Sequence, residues 1–177
     1  MLKLPINTIE KAFNISIKSD YTVIGVDTAS RTGICLAKSI GKHIILDYSF
    51  LDMSSKNKYH KYNTLIEYMN SNFNASAIDC VVIEETFFSR NAKAFQFLSR
   101  IGGMVYTVFY LKQVKDKQFI SAVQARKTLG LPSIKKKEVV HKEFHKLIPN
   151  IKITDVDIID AIILAINGLI NKQGLLM

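Results

Sequence analysis

Between Tyr21 and Phe50 the apolar residues fall in short runs of the kind that extended chain buries: Tyr21-Thr22-Val23-Ile24-Gly25-Val26-Asp27, then Thr32 to Lys38, then His43 to Phe50. Ile40-Gly41-Lys42 joins the second run to the third, a glycine-containing connection that predicts a hairpin. From Lys56 to Phe73 the period changes, with Tyr59, Tyr62, Leu65, Ile66, Met69 and Phe73 recurring three and four apart as on one face of an amphipathic helix. Cys80-Val81-Val82-Ile83 predicts a short buried strand that stops at Glu84-Glu85. Asn91 to Lys112 predicts a long helix apolar on nearly every side, and Phe119 to Val123 a further strand. Two more helices follow, Lys136 to Leu147, closed by Pro149, and Asp155 to Asn171. The order βββαβαβαα predicts an α/β domain with a mixed five-stranded sheet and helices on both faces. Residues 1–20 carry no readable role, although Ile6 to Phe13 fits one short helix ahead of the sheet.

Composition supports a single folded unit. The chain has 177 residues, 48% of them hydrophobic, with ten Phe and seven Tyr, which is enough apolar surface to exclude intrinsic disorder. Eight Gly and three Pro, with no Ser- or Gly-rich stretch, give no linker, so residues 1–177 read as one domain. Cys35 and Cys80 lie in apolar runs and read as buried thiols, which favours a reducing, cytoplasmic setting. Met1 to Pro5 lacks the apolar core of a secretory signal. The stretch Ile158 to Ile170 is broken by Asp160 and falls short of the roughly 20 residues a bilayer requires, so a soluble protein without a membrane partner is expected. No ATPase motif is present, and no nucleotide cofactor is expected.

Charge narrows the class of partner. The net charge is +9, and the segment from Lys112 to Lys146 holds ten basic residues against three acidic ones, so +7 of it is concentrated there. Such focus points to nucleic acid.

Several acids stand where a folded chain holds them only at a cost. Asp27 ends Val23-Ile24-Gly25-Val26, and Glu84 ends Cys80-Val81-Val82-Ile83. An isolated carboxylate at the end of a buried strand loses several kcal/mol of hydration unless it is paired. Asp157 and Asp160 are three apart at the start of an apolar helix and so project from one face. Taken singly, each has a plain explanation, a strand-end turn for Asp27 and Glu84 and a helix N-terminus for Asp155, Asp157 and Asp160. As a set, Asp27, Glu84, Asp157 and Asp160 make a carboxylate cluster suited to Mg²⁺, with Mn²⁺ able to substitute. Two such ions activate a water and stabilise the leaving oxygen in phosphoryl displacement, which beside a basic surface is the chemistry of a metal-dependent nuclease.

The segments Ile24 to Gly33, Val82 to Asn91 and Asp157 to Ala161 resemble, in order and spacing, the three motifs of RuvC-type Holliday-junction resolvases, and the resemblance runs from about Val23 to Ile170. It implies a ribonuclease-H-like fold, a homodimer, two Mg²⁺ ions per active site, and paired symmetric nicking of four-way DNA junctions. Asp27, Glu84, Asp157 and Asp160 match the family's catalytic, metal-binding acids. Phe87 matches an aromatic that stacks on an unpaired junction base, and Arg90 lies in the same motif. Arg126 and Lys136 are the nearest counterparts of junction-contacting cations, with Lys127, Lys135 and Lys137 as neighbouring candidates. Thr28-Ala29 stands where the family usually has Pro-Gly, so the turn there has to accommodate a Cβ. Asp155 offers itself for the third motif, but the pair Asp157 and Asp160 followed by Ala161 fits better. The helix Asn91 to Lys112, with Gly102-Gly103 in its middle, has more apolar surface than one sheet face covers and is expected to pack on a two-fold mate. Two other functions compete: a different ribonuclease-H-fold nuclease acting on RNA–DNA hybrid or other branched DNA, and a phosphate-binding protein of the actin and sugar-kinase type, whose strand-Asp-x-x-x-x-x-Gly pattern Asp27 to Gly33 also fits.

Overall fold

The computed structural model describes residues 1–53, 57–87, 91–133 and 136–171. The chain begins with β1 (Leu2–Pro5) and α1 (Ile6–Phe13), followed by β2 (Thr22–Asp27), β3 (Arg31–Ile40) and β4 (His43–Asp52). Next come α2 (Lys58–Asn72), β5 (Cys80–Glu84), α3 (Ala92–Leu111) and β6 (Asp116–Ile120). Three helices complete it, α4 (Ala122–Thr128), α5 (Lys137–Leu147) and α6 (Val156–Leu169). The strands form one mixed sheet in the order β1-β4-β3-β2-β5-β6. β2, β3, β4 and β1 pair antiparallel, while β5 and β6 run parallel to β2.

The sheet has six strands where the pattern of the sequence predicts five. The additional strand, β1, comes from the N-terminal segment and pairs Leu2 to Pro5 with Leu46 to His43. Four residues ending in proline are too few to display a period of two. The expected short helix from Ile6 to Phe13 is present and buries Ile9 and Phe13. Ile17 then bridges to Ile170, and the Ser16 carbonyl accepts from the Asn171 N–H at 2.8 Å. Residues 1–20 therefore extend the sheet and brace the end of α6. The last strand also lies earlier than Phe119 to Val123. The Ser121 hydroxyl accepts from the Gln124 N–H at 3.1 Å and starts α4, so Ala122 and Val123 are helical. At the β3–β4 connection Gly41 takes φ 54°, the left-handed conformation that the hairpin requires.

Period two divides β2 between two cores. Val23 belongs to the layer under α1, α4, α5 and α6, and Ile24 and Val26 to the layer under α2 and α3. In β5 the same alternation assigns Cys80 and Val82 to the α6 layer and Val81 and Ile83 to the other. Asp27, four positions beyond Val23, and Glu84, two beyond Val82, are thereby aimed at the α6 side.

α6 is buried continuously from Ile158 to Leu169, its apolar residues facing all round and its buried polar residues Asp160 and Asn167 held by hydrogen bonds. It lies against the sheet at backbone contact. A Cβ placed on Gly33 would overlap the Asp157 carbonyl, and one on Gly25 would overlap the Ala161 carbonyl. Asp157, Ala161, Ala165 and Gly168 line this contact at intervals of four and three. The close approach places the first turn of α6 beside the C-terminal ends of β2 and β5.

Candidate active site

Asp27 and Glu84 end adjacent parallel strands in matched register, with Val26 opposite Ile83. Asp157 and Asp160 come to the same place from the first turn and a half of α6. The Lys137 ammonium joins three of these acids, at 3.5 Å from Asp27 Oδ2, 3.4 Å from Asp157 Oδ1 and 2.9 Å from Asp160 Oδ2. Asp160 has two further partners. Arg126 Nη2 lies 3.2 Å from its Oδ2, and His141 Nε2 lies 3.5 Å from its Oδ1.

The electrostatics of the two buried acids diverge. Burial pushes the Asp27 carboxyl well above the usual carboxylate range, and the adjacent Glu84, through a side-chain hydrogen bond and its charge, pushes the same way; the attraction of Lys137 is the smaller effect. Burial also opposes ionisation of Asp160, but the hydrogen bonds from His141 and Lys137 and the charges of Lys137 and Arg126 outweigh it and hold Asp160 at about 2. Lys137 loses hydration too, yet Asp27, Asp160 and Asp157 hold its proton more tightly than in water.

Asp155 has a different task. Its Oδ1 accepts from the N–H groups of Asp157 and Ile158 at 3.1 and 3.2 Å, and its Oδ2 meets Arg31 Nη1 at 2.8 Å. It caps α6 and is committed to Arg31, whose guanidinium stacks 3.6 Å from the centre of the Phe50 ring. The turn after Asp27 takes its side chains without strain, since neither Thr28 nor Ala29 has a positive φ. The Thr28 hydroxyl donates to the Glu84 carbonyl at 3.5 Å, tying the two strand ends together.

Among the residues expected to meet DNA, Phe87 is 65% exposed just beyond β5, and Lys127 and Lys136 are exposed. Arg126 turns inward instead and is 7% exposed against Asp160. Lys137 faces the acids. Arg90 and Lys135 lie outside the described residues. His141 escapes a reading of the sequence for acids and surface cations. Its signal is the four-residue spacing from Lys137, which puts both on the face of α5 that meets α6.

As they stand, no three His, Cys, Asp or Glu side chains among the described residues are gathered into a chelating group. The acids are nonetheless all oxygen donors of the kind hard divalent ions take, and an ammonium already serves three of them as a cation. The set fits a divalent metal.

A mixed sheet with an antiparallel β2–β3–β4 meander, parallel β5 and β6, and acids from β2, β5 and α6 defines a ribonuclease-H-like nuclease. Residues 23–168 match the family of crossover junction endodeoxyribonuclease RuvC, and the chain belongs to that family of divalent-metal-dependent, junction-resolving nucleases. Among solved structures it is similar to Thermus thermophilus RuvC, at 16% identity and TM-score 0.67 over 85% of this chain and 98% of that one. It is similar also to T. thermophilus RuvC in complex with Holliday junction substrate, at 15% identity and TM-score 0.67 over 81% and 90%. The yeast mitochondrial Holliday junction resolvase matches at 13% identity and TM-score 0.55 over 89% and 82%. None of the curated protein sequences matches the chain. No helix among the described residues is long and apolar enough to cross a membrane.

Proposed function

We propose that the chain is one subunit of a homodimer that resolves four-way DNA junctions by paired symmetric nicks, using two Mg²⁺ ions held by Asp27, Glu84, Asp157 and Asp160 in each active site. The convergence of three of these acids on one ammonium, within 3.5 Å, is the observation that carries the reading. When bound, the ions supply an activated water and charge neutralisation at the leaving oxygen. Asp27 and Glu84 offer oxygens from the sheet, and Asp157 and Asp160 offer theirs from the helix. Arg126 and His141 hold the Asp160 carboxylate in place from below. Exposed Phe87 stands ready to stack on a base unpaired at the junction, and Lys127 and Lys136, with Arg90 and Lys135, attract the phosphate backbone.

The dimer reading rests on α3. One side of this helix buries Ile101, Val105, Val108 and Phe109. Part of the remaining apolar surface is covered by α2 of the same chain, where Phe97 stacks on Tyr62 at 6.3 Å. Tyr110 and Leu111 stay 61% and 73% exposed, and we assign this face to the two-fold mate. A cytoplasmic setting agrees with the burial of both cysteines, Cys35 and Cys80, in the apolar core.

The decisive experiment incubates the protein with a four-way junction, a linear duplex of the same sequence and an RNA–DNA hybrid, in Mg²⁺ or Mn²⁺, beside Glu84→Gln. The junction is expected to be cut selectively, and Glu84→Gln to lose at least about a hundredfold in rate while still binding it. Cutting of the hybrid but not the junction overturns the substrate, and full activity in Glu84→Gln overturns the metal site.

A further inference from the structure

The acids and the lysine that joins them differ in their freedom to move. Asp27 is 1% exposed at the end of a central strand, and the Asp160 side chain is 7% exposed on a helix pressed against glycine backbone. The Lys137 side chain is 39% exposed and reaches the acids from the first turn of α5 on a flexible four-carbon stem. Arg126 and His141 are buried on Asp160, so that acid keeps two partners if the lysine withdraws. Asp27, among the described residues, is then left facing the acids Glu84 and Asp160.

Without a cation among them these carboxylates repel one another in a poorly hydrated place. A divalent ion bound to the same oxygens would stand within a few ångströms of the ammonium, where like charges repel strongly. The two cations therefore compete for the same three acids.

We propose that Lys137 is a built-in counter-cation, which holds Asp27, Asp157 and Asp160 together before metal arrives and which metal binding displaces. This rests on the reading of those acids, with Glu84, as the metal site. Removing the ammonium is then expected to tighten metal binding and to weaken the metal-free fold.

The test is titration of DNA-free protein with Mn²⁺, followed by calorimetry or by the electron paramagnetic resonance of the ion. Lys137→Gln is expected to bind Mn²⁺ about tenfold more tightly than the parent, and to gain more in Tm on adding it. Equal or weaker binding by Lys137→Gln overturns the displacement. A second measurement uses the unaltered chain: lysines are labelled with an amine reagent with and without Mn²⁺ and located by peptide mass spectrometry. Labelling of Lys137 is expected to rise several-fold with Mn²⁺ while exposed Lys127 stays constant. A constant or falling Lys137 signal overturns the inference even should Lys137→Gln not fold. If the parent binds Mn²⁺ and neither result appears, the displacement alone falls. If neither protein binds Mn²⁺, the metal-site reading falls with it.

Discussion

Asp27 and Asp160 are the same residue type at one site, and their neighbours give them opposite proton affinities. Asp160, with an arginine, a lysine and a histidine around it, stays ionised down to about pH 2. The stability it contributes is present above the ordinary Asp range and is lost only as pH falls toward that value. Asp27 retains its proton to higher pH than an exposed Asp, because burial and Glu84 disfavour the charged form. Its ionisation therefore costs the metal-free protein stability as pH rises through the elevated Asp27 pKa. A divalent ion reverses this by favouring the carboxylate, so metal affinity should climb as pH is raised across the interval from the ordinary Asp range up through the elevated Asp27 pKa. A pH-independent Mn²⁺ affinity across that interval would contradict the assignment of Asp27. At Phe87, truncation to alanine should slow junction cleavage by about tenfold, in line with a lost stacking contact of roughly 1–3 kcal/mol, and leave binding within a few-fold. Unchanged cleavage in a gel assay would remove the stacking role. The acids are legible in the sequence because a carboxylate at the end of an apolar strand is conspicuous. The direction of a cation is not legible. Arg126 is expected at the DNA from the family resemblance and lies buried on Asp160 because α4 packs against α6.

At the scale of elements, the site depends on how closely α6 approaches β2 and β3. Gly33→Ala should destabilise the protein by about 3 kcal/mol, since its new methyl group meets the Asp157 backbone carbonyl, which cannot rotate away. Thermal denaturation checks this, and a Tm within a degree of the parent would show that α6 can lift without cost. Most helices can be read from the sequence to within a couple of residues, because their ends carry strong local signals: Asn57, Asn91 and Asp155 each cap a first turn with their own side chains. The strands at the two edges of the sheet are less legible. β1 is too short for a pattern, and β6 opens with Asp116-Lys117-Gln118, whose polarity an edge tolerates and a central strand would not. Glycine contacts are the hardest to anticipate, because Gly25 and Gly33 read locally as weak strand formers. Only the helix that arrives from 130 or so residues later explains them.

For the whole molecule, the exposed side of α3 predicts the assembly. Sedimentation at micromolar concentration should show a dimer, and Tyr110→Lys combined with Leu111→Lys should shift it toward monomer with the subunit fold retained by circular dichroism, since within one subunit both side chains are largely in solvent. A monomeric parent would refute the interface. The fold class, with helices on both faces and acids at the strand ends, follows from periodicity. The partnership of Lys137 with Asp27 is set by contacts between residues 110 positions apart. That separation also orders events during synthesis. When β2, β3 and β4 leave the ribosome, neither α5 nor α6 yet exists, so the growing chain carries Asp27 without the helix that would bury it or the acids that would complete its site. Long-range closure of this kind is slow compared with hairpin formation. The proposed metal site is thus among the last features to form, and if these acids carry the cleavage an unfinished chain is incapable of nicking DNA however much of its sheet it has already assembled.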